Sequence, residues 1–115
     1  METINKYQET IDLFGKKREV TITIKTEPDP DAISVLEEDA VYNIENYEKG
    51  AFTVDIIFVE VKCNLFRGID TLGGCIECYQ QGHLETVDYY NMVNEAIDDY
   101  RTNAKRYKDF FEGNK

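Results

Sequence analysis

The sequence predicts an α+β fold: an antiparallel sheet of about three strands, built from a β-hairpin and a later central strand with a helix between them, then a metal-braced loop and a long C-terminal helix. Three observations carry this. Apolar and polar residues alternate from Arg18 to Lys25, a β-branched and aromatic run fills Phe52 to Val61, and apolar residues recur at spacings of three and four from Tyr90 to Phe111. A chain of 115 residues accommodates one domain, so residues 1–115 are expected to share a single core.

The first elements form the hairpin. Gln8 to Phe14 alternates modestly, Gly15-Lys16-Lys17 supplies a turn, and Val20, Ile22 and Ile24 then face one way while Thr21, Thr23 and Lys25 face the other. Pro28 and Pro30 end the second strand, because proline removes a ladder donor. Asp29 before Pro30 is a helix cap followed by proline in the first turn. A helix is expected from about Pro30 to Lys49, stopped by Gly50, with Ile33, Leu36, Ala40, Ile44 and Tyr47 as its buried stripe. A short strand over Ala40 to Ile44 is the alternative for its second half. Phe52 to Val61 is apolar on both faces, as a central strand covered on both sides requires. Gly68, Gly73 and Gly74 then predict a loop. From His83 to Phe111 a continuous helix is expected, its seam made by Tyr90, Val93, Ile97, Tyr100, Ala104, Tyr107 and Phe111. Asp88, Glu95 and Asp99 lie on another face of that helix as an acidic stripe.

The formal net charge is -10. No Lys or Arg occurs between Lys25 and Lys49, or between Arg67 and Arg101, and carboxylates fill both intervals. Such a surface repels phosphate backbones and anionic lipid, so direct nucleic-acid binding and membrane binding are not expected. A solvated face that keeps a small protein soluble is one reading of these runs. A mimic of nucleic acid, with carboxylates occupying a basic channel on another protein, is the other. No apolar run reaches the roughly 20 residues of a membrane span, and Met1 to Lys6 lacks the basic-then-apolar pattern of a signal peptide, so a cytoplasmic location is expected.

All three cysteines and the single histidine lie between Cys63 and His83. Cys75, Cys78 and His83 form C-x2-C-x4-H, and with Cys63 at the end of the central strand they make a candidate tetrahedral zinc site. Four protein ligands leave no position for water, so the ion would be structural. Three cysteines cannot all pair within one chain. Plain buried thiols and a redox C-x2-C pair are the competing readings; the latter normally sits beside a βαβ unit, which the order of elements does not provide. No catalytic arrangement stands out, and the protein reads as non-enzymatic.

Cys75-Ile-Glu-Cys78-Tyr-Gln-Gln-Gly82-His83 resembles the zinc knuckle of retroviral nucleocapsid proteins. Asp88 stands where the knuckle has its final cysteine, which leaves Cys63 and Asp88 as candidates for the fourth ligand, with the Cys63 thiolate favoured. That resemblance implies single-stranded RNA binding, with bases stacking near the metal on residues such as Tyr79. The size, acidity and single zinc-braced domain resemble those of phage-encoded anti-CRISPR proteins, particularly inhibitors of type II RNA-guided nucleases. This second resemblance implies a partner that is a basic nucleic-acid-binding protein, inhibition of its DNA loading or cleavage, and residence in the host cytoplasm. It carries no functional residue over by motif.

Overall fold

A computed structural model describes residues 1–38, 44–63, 66–77 and 81–113. Among these, β1 (Glu2–Leu13), β2 (Lys16–Pro28), β3 (Thr53–Cys63) and β4 (Phe66–Glu77) form one sheet in the order β1-β2-β3-β4. Each strand is antiparallel to its neighbour. Helices α1 (Ala32–Glu38) and α2 (Ile44–Glu48) lie in the connection from β2 to β3, and α3 (Gln81–Tyr89) and α4 (Met92–Gly113) follow the sheet. The α+β class and the hairpin are as the sequence predicts. The strand number is not.

The first hairpin closes through Phe14 and Gly15, which have φ of 54° and 82°. Two consecutive residues in the left-handed region are what a type I′ turn needs to match the strand twist. Gly15 takes that conformation without cost, whereas Phe14 does not.

β4 occupies the stretch predicted as a loop, and its glycines have structural reasons. Gly68 pairs with Val61 directly beneath α4. A Cβ there would collide with the Ala96 carbonyl and the Tyr100 amide and would lie 2.7 Å from Tyr100 Cα. Glycine is thus the condition for α4 to lie this close to the sheet. Gly73 and Gly74 fall where the β3–β4 register slips between Asp55 and Ile57, and Gly74 has a φ of 68°. The Gly74 amide donates to Asp29 Oδ2 at 2.7 Å, while Asp29 Oδ1 accepts from the Asp31 amide at 2.9 Å. One carboxylate therefore caps the approach to α1 and holds the bulge in β4.

The main core lies between one face of the sheet and the C-terminal helices: Ile22, Ile57, Val59 and Val61 pack with Met92, Ala96 and Tyr100. Fully burying each of the larger side chains contributes about 1.5–3 kcal/mol. α4 also covers the β4 edge. Asp99 Oδ2 accepts the Ile69 amide at 2.8 Å and Asn103 Nδ2 donates to the Arg67 carbonyl at 2.7 Å, so groups that would invite another strand are engaged. A smaller cluster on the opposite face joins Ala32 and Leu36 of α1 to Phe52 and Val54.

Two helix expectations need correction. The single helix over 30–49 is observed as α1 and α2, with residues 39–43, and so most of the 40–44 alternative, outside the described residues. The long C-terminal helix is broken at Asn91, whose φ is 56°. Asn91 Oδ1 accepts from Asn94 Nδ2 at 2.7 Å, and its carbonyl accepts the Glu95 amide at 3.2 Å. Asparagine tolerates this left-handed conformation better than most residues and starts α4 afresh. Tyr90 consequently leaves the seam and is 56% exposed, and Asp99 turns to the sheet instead of joining an acidic stripe.

Gly68→Ala is expected to destabilise the fold by roughly 3 kcal/mol or more, since the colliding atoms are backbone and cannot rotate away. Urea denaturation of the variant against the parent protein measures it, with the midpoint moving sharply down.

Candidate metal centre and acidic surface

The C-terminal end of β4 delivers Glu77 to the start of α3, and Asp55 stands two positions along the ladder on β3, opposite Cys75. His83, two residues into α3, turns its ring between the two acids. His83 Nε2 lies 2.7 Å from Asp55 Oδ2 and 2.7 Å from Glu77 Oε2. The side chains of His83, Glu77 and Asp55 are only 4%, 7% and 15% exposed. Glu77 Oε1 also accepts the His83 amide at 2.8 Å, satisfying one of the unpaired N–H groups of the first helical turn. Thr53 Oγ1 donates to Asp55 Oδ2 at 2.7 Å, fixing the orientation of that carboxylate.

Buried carboxylates are ordinarily matched by cations or by enough donors to replace water. Here the buried Glu77 and the half-buried Asp55 converge on a single imidazole nitrogen, which carries at most one hydrogen. His83 Nδ1 is buried with no hydrogen-bond partner among the described residues. Ligand atoms of Asp55, Glu77 and His83 all lie within 4.8 Å of one another, close enough to hold a metal ion. A cavity of about 590 Å³ opens on these residues and is also lined by Met1, Glu2, Ile4 and Glu27.

The sequence-predicted ligands are distributed differently. Cys63 ends β3 and pairs with Phe66, eight residues along the strand from Asp55. That places it about 27 Å from the cluster, beyond reach of an ion shared with Cys75 or His83. Its side chain lies against Tyr100, whose hydroxyl is pushed above its ordinary pKa by burial and then by the Cys63 sulfur. Cys75 is buried near the cluster, with its Sγ 3.3 Å from the Leu72 carbonyl. Burial first, and then the Asp55 and Asp29 carboxylates, push its thiol from 9.0 up to about 11. Cys78 and Tyr79 lie outside the described residues. Asp88, the alternative ligand, is on α3 and exposed, and its charge helps to raise the pKa of Tyr7 after burial and Glu9. Among the described residues, His83 alone of the predicted ligands is in the observed cluster. Asp55 and Glu77 were missed, although an aspartate inside the apolar run from Phe52 to Val61 was the available signal.

The chain matches no family model, no curated protein and no solved structure.

A second feature lies at the corner between α3 and α4. Tyr89 and Tyr90 are 81% and 56% exposed and stack edge to face, with ring centroids 4.9 Å apart. Glu85, Asp88, Glu95 and Asp98 are exposed on the same two helices. Arg101 reaches Asp98 at 3.4 Å while its Nε donates to the Asp12 carbonyl at 3.0 Å. No helix among the described residues is long and apolar enough to cross a membrane.

Because its thiol pKa is raised, Cys75 carries roughly 100-fold less thiolate at pH 8 than an ordinary cysteine, and alkylation of the native protein is expected to spare it. Peptide mapping after iodoacetamide treatment at pH 8 checks this. The labelling of Cys75 should increase as pH approaches 11 and on denaturation.

Proposed function

We propose that the protein is a non-enzymatic acidic binding protein that inhibits a basic nucleic-acid-binding protein. A type II CRISPR RNA-guided nuclease is the candidate partner, with DNA loading or cleavage the step that is blocked. The observation that supports this reading is the α3–α4 corner, where two exposed tyrosines stand among carboxylates. Tyrosine buries a large amphipathic surface on binding at little entropic cost, and surrounding acids steer the encounter with a basic groove. The net charge of -10 favours a basic protein over nucleic acid itself. Within this reading a structural zinc ion braces the fold and takes no part in chemistry.

The test is a DNA-cleavage assay in which the protein is titrated against the nuclease, with direct binding measured at several salt concentrations. Stoichiometric inhibition and an affinity that falls with salt are expected. Tyr89→Ala and Glu95→Lys should each weaken binding about tenfold while the protein stays folded, since both side chains are exposed; the loss of the Tyr90 contact and of an acid in the first turn of α4 lowers the melting temperature by only a few degrees. Affinity of the protein alone for single-stranded RNA near physiological salt would contradict this reading and favour the zinc-knuckle alternative.

A further inference from the structure

We infer that Asp55, Glu77 and His83 bind one first-row divalent transition-metal ion, held by His83 Nε2, Asp55 Oδ2 and Glu77 Oε2, with its remaining position facing the cavity. Metal binding here rests on the bracing part of the reading above alone, and, unlike the closed four-ligand site the sequence suggests, three protein ligands leave one position to a water molecule. It stands whether or not the acidic surface engages a partner.

The chemistry of the donors comes first. One imidazole nitrogen and two carboxylate oxygens suit zinc, iron(II) or manganese, whereas an all-oxygen site would suit calcium or magnesium and a thiolate set would suit zinc or copper(I). All three donors come from regular elements, β3, β4 and α3, so their positions are set by the sheet register and by helix packing.

The electrostatics point the same way. If His83 is neutral, the buried Glu77 and half-buried Asp55 share at most one hydrogen from Nε2. If it is cationic, the Nδ1 hydrogen is buried without an acceptor among the described residues. Neither state balances the charge of the two carboxylates, whereas a divalent ion would neutralise both at once; the Nδ1 hydrogen is without a described acceptor in that state as well. The cavity beside the cluster is lined by Glu2 and Glu27 as well as Asp55 and Glu77, and by no lysine or arginine among the described residues. Its field therefore attracts cations.

The geometry needs only a small adjustment. Ligand atoms around a tetrahedral ion with bonds of about 2.0–2.2 Å stand roughly 3.3–3.6 Å apart, so the 2.7 Å contacts at Nε2 must open by roughly 0.6–0.9 Å. Thr53 holds Asp55 through its hydroxyl, and the His83 amide holds Glu77 through Oε1, the oxygen that does not face the imidazole nitrogen.

The test uses the full chain stripped with a chelator and titrated with zinc or cobalt(II). One ion per chain is expected, with the melting temperature rising by roughly 5–10 °C at a hundredfold excess over Kd. Asp55→Asn and Glu77→Gln should each weaken binding at least tenfold, and Cys63→Ser should leave it unchanged; circular dichroism confirms that each variant is folded. In the parent protein the cobalt complex should lack a sulfur-to-cobalt charge-transfer band, a readout that needs no variant. Absence of binding would overturn the assignment. So would a strong charge-transfer band, or wild-type affinity in Asp55→Asn and Glu77→Gln combined with its loss in Cys75→Ser and Cys78→Ser.

Discussion

The meeting of β3, β4 and α3 depends on one imidazole held between two carboxylates. His83 Nε2 stands 2.7 Å from both Asp55 and Glu77, which lie on neighbouring strands. The same Glu77 receives the His83 amide, so the direction in which α3 leaves the sheet is coupled to the side chain that anchors it. α3 in turn leads through Asn91 into α4. The geometry of the junction therefore reaches the exposed tyrosine corner without either tyrosine touching the cluster.

The second constraint is the close approach of α4 to β4. Gly68 lets the helix backbone settle onto the strand, and Asp99 and Asn103 then engage edge groups on either side of that contact. A charged acceptor on a backbone amide is worth about 1.5–3 kcal/mol, more than the 0–1 kcal/mol of a typical exposed ion pair. Asp99 thus has a local role in protecting an edge, while Glu95 and Asp98 on the same helix remain exposed. The acidity of this protein divides accordingly into carboxylates that hold the fold and carboxylates that face solvent. Asp29, Asp55, Glu77 and Asp99 belong to the first group.

What could be read in the sequence follows from periodicity. The alternation of Val20, Ile22 and Ile24 located β2 and its buried face, and the seam of Val93, Ile97, Tyr100 and Ala104 located the buried side of α4. β4 was hidden because Gly68, Gly73 and Gly74 suggest a loop when viewed locally. Their reasons are a helix packed overhead and a bulge held by Asp29, both long-range features. The helix break at Asn91 was hidden because the spacing of three and four continues through Tyr90 by coincidence. At the site, the C-x2-C-x4-H spacing drew attention to Cys75, Cys78 and His83, with Cys63 added from the end of β3, yet eight residues of ladder separate Cys63 from the position opposite Cys75. Among the described ligand candidates only His83 carried over, because the two carboxylates that meet it lie 28 and 6 residues away in the chain and neither belongs to a recognisable metal motif.

The account centres on His83 as a nitrogen donor aligned with two carboxylate oxygens. A crystal structure of the zinc-soaked protein, with anomalous data collected at the zinc absorption edge, tests this most directly. The account predicts one strong peak bonded to His83 Nε2 with Asp55 and Glu77 oxygens completing the protein ligands. A peak bonded to Cys75 and Cys78 instead, or an intact histidine–carboxylate contact with no metal beside it, would contradict it.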